Sequence, residues 1–181
     1  GAGDVTLRGN ELIEGGGKLE AVQIRKPVFV VEPSGRYRAS ADMSIGGGTV
    51  GSIPLGNASA KVNISNDRAD LTELTAAVMN GTVNGTASIA FSERQESRIN
   101  ADFTNLDLSK IVSLQAGRVF PFEGSTTGRA DITFAGTNIR STSGSISADI
   151  TATAGDGSRG TVPVNGRVEV TATNGLFKID T

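Results

Sequence analysis

Few residues in this chain are of the types that do chemistry. Three pairs of carboxylates lie close in sequence: Asp67 and Asp70, Glu93 and Glu96, and Asp102 and Asp107. Hydrolysis by paired carboxylates needs the two groups to converge across a cleft, one of them held protonated. Here they flank turns or alternate with apolar residues, the placement of a solvated strand face. Serine and threonine hydroxyls abound, but the chain has no histidine to activate them and no nucleophile elbow. Without histidine or cysteine, the commonest metal ligands and general base are also missing. Gly15-Gly16-Gly17-Lys18-Leu19 has the look of a phosphate loop, but a leucine follows the lysine and the upstream glycine is absent. Gly155-Asp156-Gly157-Ser158 has the look of a calcium loop, yet occurs once and without flanking acids. Both read as turns. The expectation is a protein that is not an enzyme, with no cofactor and no metal.

The elements around these residues carry more information. Gly85-Thr-Ala-Ser-Ile-Ala-Phe91, Gly128-Arg-Ala-Asp-Ile-Thr-Phe134 and Gly166-Arg-Val-Glu-Val-Thr-Ala172 are near copies, spaced at roughly 40 residues. Each opens on glycine and then alternates polar with apolar residues, which places the two kinds on opposite faces of a strand. Nearly the whole chain follows this plan. Strands are expected near 4–8, 18–25, 28–32, 36–44, 57–65, 70–79, 82–92, 97–104, 128–135, 144–153, 160–171 and 176–180. Gly46-Gly47-Gly48 and the Asn-Gly steps at 80–81, 84–85, 165–166 and 174–175 mark turns, several of them two-residue hairpins. In the strand at 18–25 the apolar positions are Leu19, Ala21 or Val22, and Ile24. Val28-Phe29-Val30-Val31 is apolar on both faces, which fits a strand buried twice over or an edge pressed on a neighbour. One stretch changes period: Leu108, Ile111 and Val112 have helical spacing, with Asn105 or Asp107 as cap, Gly117 as stop and Pro121 as restart.

Composition narrows the class. Trp is absent, Tyr occurs once and Phe seven times, little aromatic volume for filling a two-sheet interior. A thin core, or a groove left for another molecule, fits these numbers. A net charge of −2 with both signs interspersed excludes a nucleic-acid footprint. No apolar run reaches the roughly 18 residues of a membrane helix. The chain reads as one β-repeat segment, 1–181, cut from a longer protein, with 1–52 less regular and 53–181 repeat-like.

An ordinary sandwich core is one use for an alternating strand. The other is a curved single sheet that keeps its apolar face as a groove for an acyl chain, each buried methylene contributing about 0.8 kcal/mol. The residues expected to line it are Ala87, Ile89, Phe91, Ile99, Ala101, Phe103, Ala130, Ile132, Phe134, Ile146, Ala148, Ile150, Val168 and Val170.

Leu71–Phe91, Ile99–Val112 and Phe122–Gly136 together form a pattern: a strand ending at Asn80-Gly81-Thr-Val-Asn-Gly85, an alternating strand, a Leu106-Asp107-Leu108 lead into a short helix, and the restart Gly124-Ser-Thr-Thr-Gly128. This pattern resembles the repeats of the AsmA/TamB superfamily of bacterial envelope proteins, best over 71–136 and more broadly over 55–180. The resemblance implies an all-β fold, an elongated, U-shaped antiparallel sheet (a β-taco) with one short helix, polar outside and apolar inside. It further implies a periplasmic segment of a protein anchored in the inner membrane. Such a protein serves phospholipid transport to the outer membrane, or outer-membrane assembly through regions not in this chain. Phospholipid acyl chains are then the partner. Two alternatives stay open: a structural β-solenoid or adhesin stalk with a closed core and no ligand, and a sandwich or propeller binding module.

Overall fold

The computed structural model describes residues 2–10, 13–116, 122–152 and 162–180. It is an all-β protein built on one antiparallel sheet of 12 strands with a single short helix among the described residues. The strands are β1 (Ala2–Leu7), β2 (Gly17–Val31), β3 (Tyr37–Ile45), β4 (Gly47–Val50), β5 (Ile53–Ser65), β6 (Arg68–Val78), β7 (Gly81–Ala90) and β8 (Glu96–Asp107). Helix α1 (Leu108–Ala116) follows. Then come β9 (Phe122–Glu123), β10 (Ser125–Ala135), β11 (Asn138–Thr151), β12 (Val162–Pro163), β13 (Gly166–Thr173) and β14 (Leu176–Asp180). The main path is a meander, β1-β2-β3-β5-β6-β7-β8-β10-β11-β13-β14, with β4 alongside β2 and β5 and a separate parallel β9–β12 pair.

Alternation alone would have let the apolar face drift out of line, because several strands space their apolar residues three apart. Bulges correct this. An extra residue in one strand shifts its side chains to the other face. Ala21, at φ 51°, takes up the extra residue between Leu19 and Val22, and Val22 rather than Ala21 is buried. Glu73 (φ 51°) does the same between Leu71 and Leu74, and Asn105 (φ 56°) between Phe103 and Leu106. Lys26 (φ 48°) resets β2, which joins the two strands expected at 18–25 and 28–32 into one.

Some expected turns move. Gly46-Gly47-Gly48 leads into β4 instead of forming a simple turn. A Cβ on Gly48 would fall 2.0 Å from the Lys18 carbonyl oxygen, so glycine permits the approach of β2. Asn84-Gly85 lies inside β7 and is no hairpin. The β6–β7 turn uses Met79 and Asn80, both at positive φ, one residue earlier than Asn80-Gly81. Asn174-Gly175 forms the β13–β14 hairpin as expected, with φ 48° and 78°.

The helix starts at Leu108 because Asp107 caps it. Its carboxylate accepts from the Ser109 and Lys110 backbone N–H groups at 3.0 and 3.4 Å. Asn105, the other candidate cap, is spent on the bulge. Asn80 ties the cap to the β6–β7 turn, donating to Asp107 and accepting from Lys110. Gly117, Pro121 and the Gly155–Ser158 loop lie outside the described residues.

Candidate functional site

The carboxylate pairs do not converge. Asp102 lies on the polar face of β8, held by Arg129 of β10 at 2.7 Å, while Asp107 is the helix cap. Asp67 faces Arg36 at 3.7 Å, Asp70 accepts from Ser88 and Glu96 faces Arg98. The hydrogen bonds from Arg129 hold the Asp102 carboxyl below its ordinary 3.8, with desolvation opposing them. Gly15-Gly16-Gly17 feeds strand β2, not a helix. Among the described residues no group of three or more acidic side chains could hold a metal ion.

The apolar residues do converge, and register shows how. Directly paired residues on neighbouring strands share a face. Following partners from β3 to β14 gives one row: Ala41, Val62, Leu71, Ala87, Ile99, Ile132, Gly144, Ala172 and Phe177. Every member is apolar. Nine strands at about 4.8 Å apart make the row about 38 Å long. The next row on the same face runs Leu74, Gly85, Ala101, Ala130, Ile146, Val170 and Ile179. A third carries Ala76, Val83, Phe103, Gly128, Ala148 and Val168.

The intervening rows project to the other side of the sheet. One of them, Gln23, Ser44, Ser59, Thr75, Asn84, Asp102, Arg129, Ser147, Glu169 and Asp180, holds no apolar residue at all. The protein therefore presents two chemically distinct surfaces.

Ten of the fourteen expected lining residues fall in the three apolar rows. Ile89 stands beside them opposite Ala69, and Ile150 opposite Thr126 and Gly166. Phe134 is also on this face, opposite Ser97, but only 2% exposed. Phe91 departs from the set. It follows the last residue of β7, is 48% exposed, and its N–H donates to the Asp67 carbonyl. The face also extends where the sequence reading named no lining residues, into β3, β5 and β6 through Ala41, Val62, Leu71 and Leu74. The signal was the same alternation, broken by the bulges.

Burial on this face is incomplete. Ala87, Ile99, Ala101, Phe103, Ala130, Ile132, Ile146, Ala148, Val168 and Val170 are all half-buried. The whole chain exposes 11250 Å². A compact protein of its 18.5 kDa would expose roughly 8,200 Å². No family model, curated protein or solved structure matches the chain.

Proposed function

We propose that the apolar face binds phospholipid acyl chains and conducts them along a groove, as a segment of a bacterial envelope protein of the AsmA/TamB kind. In this reading the sheet curves into a trough with the apolar rows inside. It works in the periplasm as part of a longer, inner-membrane-anchored protein that serves outer-membrane biogenesis. The proposal assigns no catalytic residue and no cofactor.

The observation that carries it is the half-buried state of a continuous apolar face about 38 Å long. The tails of one lipid leaflet span about 15 Å, half of a bilayer core, so the rows offer more than enough length. Water is expelled from such a face only when something apolar lies on it. The same half-burial weighs against a closed stalk, whose interior side chains would be fully enclosed.

The test is native mass spectrometry of the purified chain with lipid extraction. Co-purifying phospholipid that exchanges with added fatty acid is the expected result. A lipid-free protein that also takes up no fatty acid overturns the reading.

A further inference from the structure

The sheet has an unpaired stretch of edge whose chemistry differs from that of the apolar face. β1 pairs with β2 only as far as Gln23, and β4 pairs with β2 only as far as Glu20. Beyond these points β2 has β3 on one side and, among the described residues, no strand on the other. The open segment includes Val28, Phe29, Val30 and Val31, exposed by 55, 67, 51 and 60%. Phe29 and Val31 pair with Ala39 and Tyr37 and continue the apolar face. Val28 and Val30 pair with Ser40 and Arg38, so they are apolar side chains on the polar face. A ligand lying on one face would leave half of this patch wet. A strand docked edge-on covers both sides.

We infer that this edge pairs with the same edge of a second copy of the chain, antiparallel about a two-fold axis at Phe29. Charge supports that occupant. The segment is bounded by Lys26 and Glu32, and a two-fold at Phe29 sets Lys26 of each copy opposite Glu32 of the other. Lys26 already faces Asp42 at 3.3 Å, and Glu32 faces Arg38 at 3.7 Å. The dimer completes a row of alternating sign across the junction: Asp42, Lys26, then Glu32 and Arg38 of the second copy. Val28 meets Val30, and Phe29 meets Phe29.

The backbone agrees. Glu32 donates its N–H toward Arg36, on the β3 side. Alternation then turns the N–H and C=O of Phe29 and Val31 outward. The two Phe29 residues exchange both bonds, and each Val31 N–H donates to the Pro27 carbonyl of the other copy. Pro27 lacks an N–H, which removes one bond per strand and leaves the rest. The axis stands perpendicular to the sheet, so the apolar faces of the two copies lie on the same side. The interface is isologous and closes on itself.

Sedimentation velocity over a concentration series of the whole chain tests this. The wild type is expected to show a monomer–dimer equilibrium. Lys26→Glu and Glu32→Lys, each placing like charges opposite one another twice, are expected to weaken it by about tenfold. The double variant, Lys26→Glu with Glu32→Lys, restores it. Val30→Lys abolishes it while circular dichroism stays unchanged, because the side chain is exposed. A wild type that stays monomeric throughout overturns the inference and leaves the edge to a strand of another protein or of a neighbouring stretch of the same polypeptide. So does a dimer that the single charge variants leave intact. Lipid retention does not enter either outcome, so the two readings fail separately.

Discussion

Ile99 of β8 and Ile132 of β10 stand directly opposite each other, with Ala87 of β7 and Gly144 of β11 on their flanks. Both isoleucines are half-buried in the middle of a twelve-stranded sheet. Central positions in a closed core would be enclosed on every side. This pair is the natural place to ask what covers the face.

Ile132→Glu is expected to fold normally and to lose bound lipid by about tenfold or more, because a carboxylate against an acyl chain costs more than about 1.4 kcal/mol. Phe134→Glu, two residues on, is expected to unfold the chain, since Phe134 is 2% exposed. Losing a buried phenylalanine alone costs about 3–5 kcal/mol. Circular dichroism beside lipid extraction separates the two. Equal unfolding of both variants would favour a closed core.

Gly128 pairs with Phe103, whose ring lies over it. A Cβ at Gly128 would fall 2.7 Å from Phe103 Cζ and 2.0 Å from the Ser147 carbonyl oxygen. Gly128→Ala is therefore expected to destabilise the sheet by about 1–3 kcal/mol in urea denaturation. Trimming the ring as well, with Phe103→Leu, should leave most of that loss, because the backbone contact remains.

Ser97 is fully buried. Its hydroxyl accepts from the Ala90 N–H at 2.8 Å and donates to the Gly136 carbonyl, joining the ends of β7, β8 and β10. Ser97→Ala orphans both groups, and a loss of about 1–3 kcal/mol is expected from chemical denaturation. Ser97→Thr, which keeps the hydroxyl, should recover part of it.

Ala21 holds the bulge in β2 at φ 51°. An L-residue there carries a cost of about 1–2 kcal/mol that glycine escapes. Ala21→Gly is expected to raise the urea midpoint, and Ala21→Val to lower it.

The Asp102 carboxyl sits below its ordinary 3.8 because Arg129 hydrogen-bonds to it. A depressed folded value means the folded state binds fewer protons, so the stabilisation is present at neutral pH. It disappears as pH falls below 3.8 through the folded value. Both side chains are exposed, so the effect is small. Melting Asp102→Asn at pH 7 and pH 3 should show a slightly smaller acid-induced drop in Tm than the wild type.

Much of this was legible in the residues. Alternation in 85–90 and 128–134 gave strands, and the apolar positions of those strands do share one face. Asn174-Gly175 announced its hairpin, and Asp107 its helix. Phe91 was placed by extending an alternation past the point where the chain turns toward Asp67. The contribution of β3, β5 and β6 was hidden because spacing of three, as in Leu71 and Leu74, looks like a break in a strand until a bulge explains it.

Local sequence, then, decided that this is an all-β chain with an apolar and a polar side to each strand, because a period of two is a property of single strands. It also decided that no histidine or cysteine can take part in any site, since no fold supplies a missing residue. Register was left to the tertiary structure. Which apolar residues line up into rows depends on where Ala21, Lys26, Glu73 and Asn105 adopt left-handed backbone. At Ala21, Lys26 and Glu73 those angles are selected by the pairing of neighbouring strands, because these residue types do not favour them; asparagine tolerates the angle at Asn105. The run Val28–Val31 likewise allowed either a strand buried on both faces or an edge, and the tertiary structure decided for the edge, because an edge exists only once the other strands have taken their places.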